Sequence, residues 1–153
     1  DIRNKEIFMK DPSIYPSINQ GRTAERNANR AVDMMDRIEE YREIIQENID
    51  YEIMLERHDR ERLDELVEIM LDAACAKRQA LWVAGDEIPT DVVRSRLLKI
   101  NSSHIEYVFE CLQRNTTKVY NIKSYLLTTL YNATLTMGSY YTAEVNHDFY
   151  GSK

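Results

Sequence analysis

The sequence predicts a mainly α protein, a compact bundle of about five to six helices with one small β-hairpin near residues 81–89. Three observations carry that reading. Through most of the chain apolar residues recur at spacings of three and four, the period of a helix face. Only four glycines and three prolines interrupt 153 residues, too few for a turn-rich β architecture. The run Leu-Trp-Val-Ala-Gly-Asp-Glu-Ile-Pro at 81–89 breaks the helical period with β-prone residues around Gly85.

Residues 1–31 mix Pro12, Pro16 and Gly21 with polar side chains and lack sustained apolar periodicity. They are expected to form a linker or extended tail ahead of a helical domain over 32–153. The chain opens on Asp1 rather than Met, which suggests a cut from a longer protein. From Asp33 the pattern turns helical, with Met34, Ile38, Tyr41 and Ile45 on one stripe and an end expected near Asn48. A short apolar segment around Tyr51, Ile53, Met54 and Leu55 leads to the strongest amphipathic stretch. There Leu63, Leu66, Val67, Met70, Leu71 and Ala74 keep helical spacing and the opposite face is acidic.

In the hairpin, Gly85 and Asp86 are the turn candidates, and Trp82 or Ile88 is expected to cap the helical core. Thr90 stands where it would cap a helix with Val93, Leu97 and Ile100 inside, and Ser103 to Glu106 has capping-box spacing for the next. That next helix buries Ile105, Val108, Phe109 and Leu112. In the final long helix, about 122–136, Ile122, Leu126, Leu130 and Ala133 share a stripe that Leu127 and Tyr131 widen. So broad a face implies several neighbours. Gly138 reads as a stop and Ser139 as the start of a last short helix.

The formal net charge of −6 is unevenly spread: residues 32–78 carry fifteen acids against seven bases. Affinity for nucleic acid comes largely from bases that neutralise phosphates, so this block should repel DNA. Any DNA contact is expected from the carboxy-terminal half, through Arg96, Lys99, Arg114, Lys118 and Lys123. Arg94 projects from the other side of its helix, so one continuous patch does not follow. The acidic face with Glu61, Glu65, Glu68 and Asp72 is either simply solvated or a partner surface, and Tyr140 and Tyr141 are further partner-contact candidates.

No apolar run approaches the roughly 20 residues that span a bilayer, so a cytoplasmic protein without membrane contact is expected. Cys75 and Cys111 fall in helical patterns and read as buried reduced thiols. There is no glycine-rich phosphate loop, no His-Glu-x-x-His and no Cys-x-x-Cys, and His58, His104 and His147 are far apart. His58 heads a charged stretch and reads as a surface residue. These patterns lead us to expect no catalytic residues, no cofactor, no metal and no enzyme activity.

Two segments resemble a known family. They are 120–133 (Tyr-Asn-Ile-Lys-Ser-Tyr-Leu-Leu-Thr-Thr-Leu-Tyr-Asn-Ala) and 139–148 (Ser-Tyr-Tyr-Thr-Ala-Glu-Val-Asn-His-Asp). With 47–51 (Glu-Asn-Ile-Asp-Tyr), 63–67 (Leu-Asp-Glu-Leu-Val), 102–105 (Ser-Ser-His-Ile) and 115–118 (Asn-Thr-Thr-Lys), they are similar to the carboxy-terminal domain of replication initiator protein A from plasmids and conjugative elements of Gram-positive bacteria. That domain is in turn similar to the helical domain of the primosomal protein DnaD, whose tyrosine-rich helix Ile122, Tyr125, Leu126, Leu130 and Tyr131 match loosely. The Trp that often follows in DnaD is absent, since Asn132, Ala133 and Thr134 stand there, so single-strand binding is not carried over.

The resemblance implies a non-catalytic domain that recruits host replication proteins, namely primase, helicase or its loader. Plasmid origin DNA would be held by the rest of the initiator, and residues 1–31 would end its linker. Direct DNA binding by the basic carboxy-terminal half, or homo-oligomerisation, are the alternatives.

Overall fold

A computed structural model of the chain describes the backbone of residues 2–150 and the side chains of residues 22–138, 142 and 143. It is mainly helical and falls into two compact units, Asp1–Ile38 and Glu39–Lys153. Along the chain run α1 (Ile2–Asn48), α2 (Tyr51–Met54), α3 (Arg60–Ala74), β1 (Ala80–Val83), β2 (Asp86–Pro89), α4 (Thr90–Leu97), α5 (Ser102–Arg114) and α6 (Ile122–Tyr150). Among the described residues no helix is long and apolar enough to cross a membrane.

The first unit is helical in its backbone from Ile2, which differs from the extended tail suggested by the composition of residues 1–31. Over residues 22–31 the physical reason is local: Ala24, Ala28 and Ala31, with Glu25, Arg26 and Arg30, are strong helix formers. Side chains 22–37 are all exposed.

The second unit is the helical bundle. Its part of α1 buries Ile45, and the chain turns at Asp50, whose φ of 55° lies in the left-handed region that Asp tolerates better than most residues. Buried Ile49 precedes that turn and buried Met54 ends α2. The Tyr51 hydroxyl donates to Asp64, tying α2 to α3. This bond to a carboxylate is the main reason the Tyr51 phenol titrates above its ordinary value.

α3 is the core helix: Leu63, Leu66, Val67, Ile69, Met70, Leu71, Ala73 and Ala74 are all buried. The expected inner residues are therefore all inside, with Ile69 and Ala73 widening the face. Its carboxy-terminal carbonyls are met by a side chain from α4, since Arg94 Nε donates to the Ala74 carbonyl at 2.6 Å. A cation at that end also complements the helix dipole.

The antiparallel hairpin pairs Ala80 with Pro89, Leu81 with Ile88, Trp82 with Glu87 and Val83 with Asp86. Its two-residue turn is Ala84-Gly85, one position earlier than expected, with φ of 56° and 77°. Positive φ at both central residues is the type I′ signature, which matches the strand twist. The alternation of strand side chains decides what faces the core. Val83 is fully buried and Leu81 and Ile88 half-buried, while Trp82 is 70% exposed. Val83 rather than Trp82 is thus the plug. The turn is held to α6 by the Ala84 N–H, which donates to Thr128 Oγ1 at 3.2 Å.

Two helix starts also differ from expectation. Thr90 is buried and begins α4 rather than capping it. Its hydroxyl donates to the Arg78 carbonyl and its N–H to the Gln79 carbonyl at 2.9 Å, closing the base of the hairpin. At α5 the cap is Asn101, not Ser103: Asn101 Oδ1 accepts the His104 N–H at 3.2 Å, and His104 Nδ1 accepts the Asn101 N–H at 3.0 Å. Burial holds the His104 imidazole below its ordinary pKa, which keeps Nδ1 free to accept.

α6 packs against α3, α4, α5 and β1, in keeping with its broad apolar face. It runs through Gly138 instead of stopping there. No proline or left-handed cap enforces a stop at this position, and Thr142 Oγ1 donates back to the Gly138 carbonyl at 2.9 Å in the helical i−4 pattern.

Candidate functional site

A groove of about 390 Å³ lies between α3, α5 and the first turns of α6. Leu66 and Phe109 are brought to its floor by the buried stripes of α3 and α5, and Leu126 by that of α6. Leu112 and Ile122, both expected inside, are here half-buried and exposed respectively and widen the apolar surface, while Arg62, Glu65 and Gln113 supply polar groups. Phe109 also packs against the His58 ring, with centroids 4.3 Å apart. His58 is half-buried rather than a surface residue, and its Nε2 lies 2.9 Å from Glu106 Oε2. A concave apolar floor with a few polar groups is the form of a site that takes side chains of a partner.

The acidic face of α3 is not one free surface. Glu61 and Glu65 are exposed. Glu68 accepts from Arg42 of α1, and this hydrogen bond is the largest cause raising the Arg42 pKa above its ordinary value. Asp72 accepts from Lys123 Nζ at 3.1 Å. Side chains of Tyr140 and Tyr141 lie outside the described residues.

The five bases proposed for DNA contact stand in different surroundings. Arg96 is half-buried with its guanidinium carbon 5.5 Å from the Tyr131 ring centroid, which makes it part of the α4–α6 packing. Lys99 precedes α5 and Arg114 ends it. Arg114, Lys118 and Lys123 belong to the α5–α6 connection and the start of α6, where Lys118 Nζ sits 5.4 Å from the exposed Tyr120 ring. Within that connection Asn115 Oδ1 accepts the Thr117 N–H and hydroxyl, and Asn121 Oδ1 caps α6 by accepting the Ser124 N–H.

Lys123 instead belongs to a second concavity of about 460 Å³ between the end of α3, the hairpin and α6. Lys77 and Arg78 also line it, over Ile69, Ala73, Leu81 and Leu127. Sequence reasoning missed Lys77 and Arg78. Their signal was the adjacent pair of bases at the carboxy-terminal end of an acidic helix, where the dipole favours cations.

Cys75 and Cys111 are half-buried and form no disulfide. Among the described residues no group of three or more His, Cys, Asp or Glu side chains is placed to hold a metal ion. The model of the DUF6017 family, a family of unknown function, matches residues 6–152, so the chain belongs to that family. No curated protein and no solved structure matches it.

Proposed function

We propose that this DUF6017 chain is the non-catalytic docking domain of a plasmid-type replication initiator, acting in the cytoplasm to recruit a host replication protein such as primase, helicase or its loader. The observation that carries the reading is the groove of α3, α5 and α6, an apolar recess rimmed by Glu65, Arg62 and Gln113. The resemblance of segments 120–133 and 139–148 to the initiator domain supports the class of partner. Tethering raises the local concentration of that partner at an origin without chemistry in this domain.

The test is retention of purified host primase, helicase and loader by the immobilised domain at micromolar concentration. Retention of one of them, lost on Glu65→Arg with Gln113→Glu, supports groove docking. These two positions are exposed, so the fold survives the changes. No retention of any of the three rejects the reading.

One observation favours a second reading, direct DNA contact. Lys77, Arg78 and Lys123 set three cations against the single carboxylate of Asp72 around one concavity. Fluorescence anisotropy with labelled single- and double-stranded DNA should then show binding that weakens steeply with salt, and Lys77→Gln with Arg78→Gln should flatten the slope. Absence of binding at low salt leaves protein recruitment alone.

A further inference from the structure

We infer that the concavity between the end of α3, the hairpin and α6 takes a short acidic peptide that carries apolar side chains. Its surface is of two kinds. Leu81 of β1 and Leu127 of α6 are half-buried there, over the buried Ile69 and Ala73 of α3. Lys77, Arg78 and Lys123 line the same concavity and are all exposed. Its volume of about 460 Å³ falls in the range of sites that enclose a small ligand, which is room for the side chains of a few residues. All of these residues belong to the second unit. On α6 the undescribed side chains begin at Ser139, roughly 18 Å along the axis from Leu127 at about 1.5 Å per residue.

Charge makes the ligand an anion. Among the described residues Lys77 and Arg78 enter no ion pair. The end of α3 does not need them, since Arg94 Nε already donates to the Ala74 carbonyl. Lys123 pairs with Asp72, but the two side chains are 63% and 61% exposed, and water weakens so open a pair that an incoming carboxylate can compete for the lysine. Three cations against one carboxylate reverse, at this one place, the sign of a chain whose formal net charge is −6. The floor then decides which anion. The lining has aliphatic side chains and no aromatic ring on which a base could stack. A polyphosphate that left the concavity along α3 would run onto Glu68, Glu65 and Glu61, which share the helix side of Asp72 at spacings of four, three and four. A short segment with carboxylates for Lys77 and Arg78 and a Leu or Phe for the floor meets both kinds of surface. This inference does not rest on docking in the groove of α3, α5 and α6, and it gives the basic concavity a ligand other than DNA.

The test is fluorescence anisotropy of the labelled peptide Asp-Glu-Asp-Leu-Asp-Glu-Leu-Phe with the full chain at about 1 to about 500 µM, a range that brackets a weak specific site. Saturable binding is expected, weakened by salt yet still measurable at about 150 mM. It should fall about tenfold or more when the peptide's acids become amides, and again when its Leu and Phe become Ser. No binding of the parent peptide, or equal binding of the Ser peptide, overturns the inference.

Place is read from two variants. Lys77→Glu with Arg78→Glu should weaken the peptide about tenfold or more, with circular dichroism and unfolding midpoint as in wild type because both side chains are exposed. Glu65→Arg with Gln113→Glu should leave the peptide bound as in wild type. The reverse pattern puts the peptide in the groove of α3, α5 and α6 and overturns the assignment. Displacement of the peptide by unlabelled DNA more readily than by unlabelled peptide makes the concavity a phosphate surface, and a wild-type dimer in sedimentation that Lys77→Glu with Arg78→Glu dissolves makes a second copy the occupant. Either result overturns the peptide reading.

Discussion

Two stretches of one helix carry the same apolar line and meet different fates. Ile45, one heptad beyond Ile38, continues the spacing of Ala24, Ala28, Ala31, Met35 and Ile38, yet Ile45 is 1% exposed and Met35 67%. The period of the line says which residues share a side. Whether that side is covered is a property of the surroundings, and the side chains of residues 22–37 are all exposed. One stretch is held by burial and the other by local propensity alone, and substitutions separate the two.

The largest effect belongs to the buried stretch. Ile45→Ala removes a side chain with no room to relax and should cost about 2–5 kcal/mol in urea unfolding, whereas Met35→Ala at low protein concentration should stay within about 0.5 kcal/mol. Equal costs at the two positions would break the comparison. Next comes a helix end inside the bundle: Asn101→Ala leaves the His104 N–H without its acceptor and should lower stability by about 1 kcal/mol. A null result there would mean that packing alone holds α5.

Smaller changes probe local propensity directly. A Cβ at Gly138 meets no atom within 4 Å, so Gly138→Ala should gain up to about 1 kcal/mol of helix propensity, read as slower amide exchange in this part of α6. Relief of the positive φ at Ala84 by Ala84→Gly should raise stability by a similar or smaller amount.

The smallest expected effect is a pH slope. Because folding depresses the His104 pKa, the folded state favours the neutral imidazole. Its contribution is complete above the unfolded value, near 6.5, and is lost as pH falls from there through the depressed folded value. Protonation also turns Nδ1 from acceptor to donor and opens the capping box. His104→Gln keeps an acceptor for the box and should flatten that part of the stability profile. An unchanged slope in the variant would assign it to other groups.

Much of the bundle was legible because burial repeats with the helix period. The stripes of α3 and α4 were named from spacing alone and are inside, that of α5 is inside except for half-buried Leu112, and the hairpin was placed to within a residue or two of its ends. The misplaced features are those where one residue type has two local solutions. Thr90 can cap a helix or bond backwards to Arg78, Ser103 and Asn101 are both competent caps, and Gly138 is as compatible with a helix interior as with a stop. In each case the neighbour that accepts or donates lies on another element or depends on the backbone path.

The candidate site was less legible than the fold. Glu65 was named from the acidic face of α3, but the groove it borders needs Phe109, Leu112 and Ile122 from two other elements. The bases told the same story: Arg96 and Lys123 were named as DNA-contact candidates, and Arg96 lies over Tyr131 while Lys123 pairs with Asp72.

By itself the sequence determined the helical class, the order of elements and the buried stripes of α3 and α4, because a 3.6-residue period converts local spacing into sidedness. Tertiary structure alone decided which charges are spent on one another and where α3, α5 and α6 leave a recess. It also decided that the line along α1 is filled at Ile45 and bare at Met35. Those outcomes depend on residues far apart in the chain being brought together, and periodicity carries no information about that distance.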